Sequence, residues 1–558
     1  MLHRWVGFFI PPICDLHMPD IDITTMGGEM PRMVAHLLPQ SSATIAKNCH
    51  FRHGVITPNN ADAKQAKVFS ITPGTIFNYH DDVWFAWNGI VDAIRSPVAN
   101  DDYDRVYFTD GTYPKVTSNR IATQGQGNYP AAYFRLGIPA PEHAIAIGGV
   151  TPPADPGEDD PTDDESRFYV ETYVTEYGEE GPPGPASAEI TIVYPGSTVA
   201  LQLQPPGTQN SNITRRRIYR SATSDSTADF LLVVELRIAI GSFDDSLSGA
   251  ELSATLETYD YMMPPEGMIG LCAMKNGICA GFKGNEVMFS EAYLPYAWKP
   301  TNRQTTMNKI VAIAPVGTSL VVGTEGDPYL FSGITPSNIS STEPNITLAC
   351  VSRRSMVAMD GFAIYASPNG IVTVDASGNA LVATEKIVEQ KQWRKMFNPT
   401  SIRAWRVENE YLALYDTPDG TAGFIFNPQM MDIRHITASF GAGFNDEKSD
   451  TLYIVKGTQL YTLQGGDMSV GMRWRSKPFL APYDTSFSCL RVMSDQLFFV
   501  GINIIVDGKL VITLPPGTMR ESMLKLPPIS GRRWMIETWG RGQVDRITLS
   551  TSMMEMPA

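Results

Sequence analysis

The chain has few residues of the kinds that mark a disulfide framework or a clustered metal site. Its 558 residues include six cysteines and eight histidines. No Cys-x-x-Cys pair occurs, and the cysteines are scattered over positions 14, 49, 272, 279, 350 and 489. Isolated thiols of this kind are typical of small apolar core residues in a reducing compartment.

Long hydrophobic runs are also missing. The longest N-terminal apolar run, Trp5–Ile10, stops at Pro11. It is much shorter than the roughly 20 residues that a membrane-spanning helix needs, and it is short for a secretory signal. We therefore expect no membrane span, and we interpret residues 1–17 as a loose arm or as a segment that precedes a native start at Met18.

Positive charge is in deficit. Lysine and arginine number 44 against 59 aspartates and glutamates, which gives a formal net charge of −15. This balance argues against a protein that grips nucleic-acid backbones, because such binding needs clustered cations. It suits a protein past which DNA must move without binding.

Catalytic signatures are absent as well. There is no G-x-S-x-G, H-E-x-x-H, P-loop or G-x-G-x-x-G after a strand. Two histidine groups are weak metal candidates: Cys49-His50-Phe51-Arg52-His53, which lacks a distant second ligand pair, and His80-Asp81-Asp82, which a turn explains as well. We expect no metal, no cofactor and no catalytic residue.

What the sequence does contain is a repeated short apolar strand followed by hairpin turns. The strand recurs at Met268, Ile310, Met356, Ile402 and Ile436, at steps of 42, 46, 46 and 34 residues. Asp360-Gly361 and Asn369-Gly370 fit tight turns between paired strands. A period near 45 with about four strands per unit predicts the blades of a β-propeller, with an irregular β-sandwich as the alternative.

The predicted fold is all-β: a propeller core, an inserted fibronectin type III-like sandwich and a C-terminal β-sandwich or sheet. The boundaries follow shifts in composition. We expect an extended arm over 1–60, opening strands or blades over 61–149, an acidic Pro-rich linker over 150–166, the insertion over 167–262, propeller blades over 263–470 and the C-terminal β domain over 471–558.

Three local features carry separate expectations. Residues 384–397 predict the one helix, with Thr384 as its N-cap and a blade edge as its support. Arg215-Arg216-Arg217 is predicted to be a solvated strand edge rather than a basic patch. The linker contains seven carboxylates and is a candidate flexible acidic loop rather than a Ca²⁺ site; they are Asp155, Glu158, Asp159, Asp160, Asp163, Asp164 and Glu165.

Several phrases resemble known families. Tyr173-Val-Thr followed by Gly178-Glu-Glu-Gly-Pro-Pro is similar to fibronectin type III modules. Over most of residues 20–550 the chain resembles the tail nozzle proteins of short-tailed bacteriophages, the tail tubular protein B type, in Gly28–Arg32, Ala46–Cys49, Arg217–Arg220, Phe289–Trp298, Leu320–Tyr329 and Ala366–Gly370.

That resemblance implies a structural virion protein made in the bacterial host cytoplasm. It implies a homohexameric ring below the adaptor and portal, contacts with adaptor proteins and tail fibres or spikes, and a lumen through which genomic DNA passes without sequence-specific binding. Two other classes stay open from the residues alone. One is a glycan-binding tail or adhesin protein that uses tryptophans such as Trp84, Trp87 and Trp298; the other is a polysaccharide hydrolase with two carboxylates in the axial funnel.

Overall fold

The structure, a computed structural model, describes residues 20–52, 54–154, 165–194, 196–207, 210–223 and 228–556. Strands dominate this part of the chain. Its single α-helix is Gln390–Phe397, and short 3₁₀ turns lie at Ala35–Leu37, Gly249–Glu251, Pro336–Asn338, Arg353–Ser355, Pro399–Ser401, Leu497–Phe499 and Met553–Glu555. No described helix is long and apolar enough to cross a membrane.

Seven small antiparallel sheets form the centre of the molecule, and we number them as blades along the chain. Blade 1 is Thr75–His80 and Val83–Trp87; blade 2 is Asp92–Arg95, Val106–Thr109, Lys115–Thr117 and Phe134–Arg135; blade 3 is Ile269–Ala273, Cys279–Lys283, Glu286–Glu291 and Leu294–Thr305; blade 4 is Ile310–Val316, Ser319–Thr324, Tyr329–Ser332 and Ser340–Thr342. Blade 5 is Val357–Ala358, Phe362–Ser367, Gly370–Asp375 and Ala380–Val382; blade 6 is Arg403–Val407, Glu410–Thr417, Gly420–Asn427 and Asp432–Ile436; blade 7 is Ala442–Asp446, Thr451–Lys456, Gln459–Thr462 and, from the other end of the chain, Ala63–Val68.

These sheets close into a ring. The first strand of each blade contacts the first strand of the next from blade 2 to blade 7, and blade 7 in turn contacts blade 1. Blade 1 packs on blade 2 through Phe77, Phe85 and Val106. The ring has six blades of four strands and one, blade 1, of two strands. A ring of small antiparallel sheets whose first strands surround a common axis is a β-propeller, so the predicted propeller character is confirmed.

The ring is closed by a strand that is far away in sequence. Ala63–Val68 pairs antiparallel with Gln459–Thr462, so that Val68 faces Gln459 and Lys64 faces Tyr461. The predicted repeat placed the first strand of the last blade at Ile436, one strand too early. Ile436 ends blade 6, and the first strand of blade 7 begins at Ala442, after a short connection.

The C-terminal residues form a β-sandwich, hereafter the C-terminal sandwich, together with the N-terminal strands. One sheet pairs Ile21–Ile23, Arg546–Ser550, Cys489–Met493 and Met523–Lys525. The other continues from blade 6 through Ala43–Lys47, Met472–Ser476, Gly531–Gly540, Val500–Val506 and Lys509–Leu514, with Phe479–Thr485 also on Gly531–Gly540. Ile23, Ala46, Trp474 and Trp534 are buried between the sheets, so the strands Ile21–Ile23 and Ala43–Lys47 are part of this core. A short pair, Cys49–His50 with Thr57–Pro58, follows.

An inserted β domain separates blades 2 and 3. Its sheets pair Ala146–Thr151, Thr198–Gln202 and Ser242–Asp245; Glu165–Arg167 and Ile190–Ile192; and Tyr169–Thr175, Ile213–Thr223 and Ala228–Arg237. The three arginines predicted as a strand edge lie instead on the middle strand of the last sheet. Arg216 is buried 3.0 Å from Glu171, and Arg215 and Arg217 pair with Glu235. Their charges are neutralised within the sheet.

The helix braces blades 5 and 6, but it begins later than predicted. Glu389 rather than Thr384 is its N-cap. The Thr384 hydroxyl is already used, because it accepts the Ile371 N–H at 3.0 Å. The Trp393 side chain is fully buried and its Nε1 donates to the Ser367 carbonyl at 3.0 Å, which holds the helix against blade 5.

Candidate functional site at the propeller axis

The first strands of five blades start close together at one end of the propeller axis. Asp92 and Arg403 are the first residues of their strands in blades 2 and 6, and Gly270 is the second residue of its strand in blade 3. Gly74 and Gly441 immediately precede the first strands of blades 1 and 7. We call this the strand-start end of the axis.

A turn from between blades 4 and 5 reaches across this end. Its residue Arg353 forms an ion pair with Asp92 of blade 2. The same carboxylate oxygen, Oδ2, accepts the Gly270 N–H at 2.7 Å and the Thr109 hydroxyl at 3.2 Å. Three donors therefore fix Asp92, and Arg353 joins blade 2 to the opposite side of the ring.

The next residue reaches the remaining blades. The Arg354 guanidinium donates at 3.5 Å to the carbonyls of Gly74 and Gly441. Its Cζ lies 5.7 Å from the centre of the Trp405 ring in blade 6. Together the two arginines contact blades 1, 2, 6 and 7, so the strand-start end of the axis is occupied by side chains.

The other end of the first strands carries acidic turns. The turns that join the first and second strands of blades 5, 6, 7, 1 and 2 are consecutive around the ring. They contain two cations, Arg105 and Lys448, and nine carboxylates: Asp81, Asp82, Asp101, Asp102, Asp104, Asp360, Glu408, Glu447 and Asp450. We call these five turns the acidic arc.

Much of the charge on the acidic arc is open to solvent. Asp81, Asp82, Asp102, Glu447 and Asp450 are exposed. Asp360 and Glu408 are also exposed, although each pairs with an arginine, Arg406 and Arg52 respectively. The arc therefore presents a negative field to anything that passes this face of the propeller.

Of the seven acidic linker residues, the structure describes Glu165. It begins the strand Glu165–Arg167 and pairs with Arg167 at 2.7 Å. The Arg167 guanidinium lowers the pKa of this carboxyl. The other six lie outside the described residues: Asp155, Glu158, Asp159, Asp160, Asp163 and Asp164.

The two weak metal candidates are arranged differently from a metal site. Cys49 is in the core, where burial raises the pKa of its thiol to about 12, whereas the neighbouring His50 contacts Asn59 Oδ1 at 3.3 Å. His53 lies outside the described residues. His80 is 3.6 Å from Asp104, and the Asp81-Asp82 turn next to it is exposed. Among the described residues no group of three or more histidines, cysteines and acids is placed to hold a metal ion.

The tryptophans considered for glycan stacking serve mainly as packing residues. Trp84 and Trp298 are 4% and 1% exposed, in the cores of blade 1 and blade 3. Trp87 contacts the rings of Phe85 and Phe108. These contacts account for the aromatic pattern of the opening strands.

The residues that shape the axis were missed by sequence reasoning. Arg353 and Asp92 are 261 positions apart, and no motif links them. The only local signal is the pair Arg353-Arg354 directly before the predicted first strand at Met356.

Comparisons with known proteins give no family. No family model and no curated protein matches the chain. Among solved structures, it is similar to an exo-β-1,3-galactanase from Phanerochaete chrysosporium with galactose, at 10% identity and a TM-score of 0.20 over 50% of this chain and 95% of that one. The Pan2 WD40 domain of Neurospora crassa matches at 7% identity and a TM-score of 0.25 over 50% of this chain and 85% of that one. The AfRom2 CNH domain matches at 5% identity and a TM-score of 0.24 over 57% of this chain and 93% of that one. Scores this low carry no argument, and the assignment of a propeller fold is based on the strand pairing and on the contacts between blades.

Proposed function

We propose that this chain is a structural subunit of a bacteriophage tail, the nozzle or lower tail tube, and that six copies form a ring through which the genome leaves. In this proposal the chain is not an enzyme and is part of the virion tail. Its partners are further copies of itself, adaptor or portal-proximal tail proteins, and tail fibres or spikes. Genomic DNA passes through the lumen without sequence-specific contacts.

The observation that carries the proposal is the contrast between the two ends of the propeller axis, one occupied by arginine side chains and the other lined by exposed carboxylates. Because Arg353 and Arg354 occupy the strand-start end, a single propeller offers no open bore for a duplex. A conduit then has to form between copies, with each propeller as a rigid wall element. Side-chain links across the ring, such as the Arg353–Asp92 ion pair, suit such a wall because they resist opening of the blades.

The acidic arc supports a lumen-facing role for that side of the propeller. Exposed carboxylates repel phosphates and keep a passing duplex away from the wall, since tight binding would need cations that displace counterions. Cyclic symmetry would repeat the arc six times around one axis. We therefore place the acidic arc toward the lumen.

In this proposal the C-terminal sandwich supplies contacts between copies. Lys509–Leu514 is the edge strand of its larger sheet, and Leu510 on this edge is 59% exposed. Val34 and Leu37, beside the N-terminal strands, are similarly exposed. Exposed apolar edges of this kind favour association with another chain. In this proposal the inserted domain, which we interpret as fibronectin-like, would contact fibres or spikes.

Electron microscopy of the purified chain, alone and mixed with adaptor proteins of the same tail, tests this function. We expect rings with sixfold symmetry and with the acidic turns of blades 5, 6, 7, 1 and 2 facing the hole. A ring whose lumen is lined by lysine and arginine would contradict the low-friction argument. Discrete monomers that join no assembly would contradict the nozzle role itself.

A further inference from the structure

Three arginines lie at the strand-start end of the axis, close enough for Arg353 and Arg403 to act on Arg354 electrostatically, but they are not equally neutralised. Arg353 has the Asp92 carboxylate. Arg403, at the start of blade 6, pairs with Asp416 at 2.9 Å. Arg354 lies near both of these arginines, and none of the described carboxylates lies within ion-pair distance of it.

The contacts of Arg354 leave its charge without a counterion. Its two hydrogen bonds, to the Gly74 and Gly441 carbonyls, are both 3.5 Å long, at the limit of a hydrogen bond. The Trp405 ring covers one side of the guanidinium. The group is partly buried, yet it retains some exposure to solvent, so a small ligand can reach it.

A partly buried cation without an anion is unfavourable, because desolvation is not repaid by a nearby opposite charge. Burial lowers the pKa of Arg354, and the charges of Arg403 and Arg353 lower it further. Arg354 therefore lacks one counterion. A planar guanidinium can bind a carboxylate or a phosphate through two parallel hydrogen bonds.

We propose that Arg354 is the anchor of an oxyanion-binding site at the strand-start end of the propeller axis, which takes one carboxylate or phosphate group. The Trp405 ring forms the floor beside the guanidinium. Arg353 and Arg403, each held by its own carboxylate, add to the positive field without being the primary contact.

The site has the opposite polarity to the acidic arc. The two lie at opposite ends of the first strands, so one propeller presents an anion-accepting end and an anion-repelling end. This inference goes beyond the proposed function and does not depend on it, because it concerns a single chain whether or not a ring forms.

Thermal unfolding at fixed ionic strength tests the site, with chloride replaced stepwise by inorganic phosphate, sulfate or acetate. For the wild-type chain we expect a saturable rise in Tm with at least one of these oxyanions. Arg354→Met is expected to weaken binding, so that the half-saturating concentration rises at least tenfold. Arg354→Lys, which keeps the charge but loses the fork, is expected to fall between the two. A response to acetate alone indicates that the site takes a carboxylate, and a response to phosphate indicates that it takes a phosphate group.

A matched control separates binding from general salt effects, since sulfate and phosphate stabilise many proteins without a site. Arg532→Met removes an arginine that is 63% exposed and forms an ion pair of 3.5 Å with Asp484. This variant should respond to the oxyanions like the wild type. If Arg354→Met does not fold, anomalous scattering from crystals soaked in selenate replaces it, and we expect a peak within about 4 Å of the Arg354 guanidinium. The proposal is overturned if wild type and Arg354→Met respond alike, if the response never saturates, or if selenate leaves this position empty.

Discussion

Arg353 and Asp92 form an ion pair across the end of the propeller axis, although they belong to turns and blades on different sides of the ring. The Asp92 carboxylate also accepts two further hydrogen bonds, from Gly270 and Thr109. This single contact ties blade 2 and blade 3 to the connection between blades 4 and 5. It also places side chains at the strand-start end of the axis, where an open bore would have to pass.

Breaking this pair should loosen the propeller. The two side chains are 25% and 26% exposed, so Arg353→Met should cost about 1 to 2 kcal/mol in the free energy of unfolding, less than a fully buried pair. Urea denaturation measures the loss. The double variant Arg353→Met with Asp92→Asn should recover part of it, because no unpaired charge is left. Arg532→Met breaks a more exposed ion pair, with Asp484. If it lowers the free energy of unfolding by the same amount, the position on the axis has no special role.

Glu29 should make stability depend on pH. It lies where the N-terminal strands meet blade 6, and burial raises its pKa from 4.5 to about 7. His435 Nε2 is 3.7 Å away, and burial lowers the pKa of that histidine.

The sign follows from this raised pKa. The contribution of Glu29 is fully present below about pH 4.5 and is lost as the pH rises through about 7, by about 3 kcal/mol at most. Glu29→Gln keeps an acceptor for the Ala46 N–H. It should therefore match the wild type near pH 4 and be more stable at pH 8, as measured by urea unfolding at each pH. The exposed variant Glu447→Gln should follow the wild-type curve; parallel curves for all three proteins would show that Glu29 is not the titrating group.

Trp393 should be among the most sensitive core positions. Its ring is fully buried between the helix and blades 5 and 6, and it contacts Phe397 and Phe424. Trp393→Ala should destabilise the protein by about 3 to 5 kcal/mol through the cavity and the lost hydrogen bond. Met307→Ala, at a site that is 86% exposed, should change it by less than about 0.5 kcal/mol. Equal losses would mean that the helix is not a brace.

The acidic arc should keep DNA from binding. We expect the wild-type chain to show no affinity for duplex DNA at physiological salt in fluorescence anisotropy. A variant with Asp81→Lys, Asp82→Lys, Glu447→Lys and Asp450→Lys should bind, and log K should fall with log salt as counterions are released. Binding of DNA by the wild-type protein would contradict the role given to this face.

The regular part of the fold was predictable from local signals. The first strands of blades 3 to 6 follow the apolar repeat, and Gly361, with φ of +84°, occupies the predicted hairpin turn of blade 5. Local pattern reaches this far because blade hairpins pair neighbouring segments of the chain.

The parts that were missed depend on distant segments. Nothing near Ala63 indicates that it pairs with residues 459–462, and nothing near Ile21 indicates that its side chain enters a core built mainly from residues 472–549. Thr384 fits an N-cap locally, but the tertiary contact with Ile371 uses its hydroxyl. The arginines at the axis have no sequence signature, because their partners are brought to them by ring closure.

The mass of the purified chain in solution, measured by light scattering alone and with adaptor proteins of the same tail, tests the nozzle role most directly. Six chains of 61.4 kDa give about 368 kDa. The proposal predicts that mass for the chain alone, or an addition of that mass to the adaptor when the ring forms on it. It also predicts that Leu510→Asp on the exposed edge strand reduces the number of associated chains. A chain that remains at 61.4 kDa under all of these conditions would contradict the nozzle role.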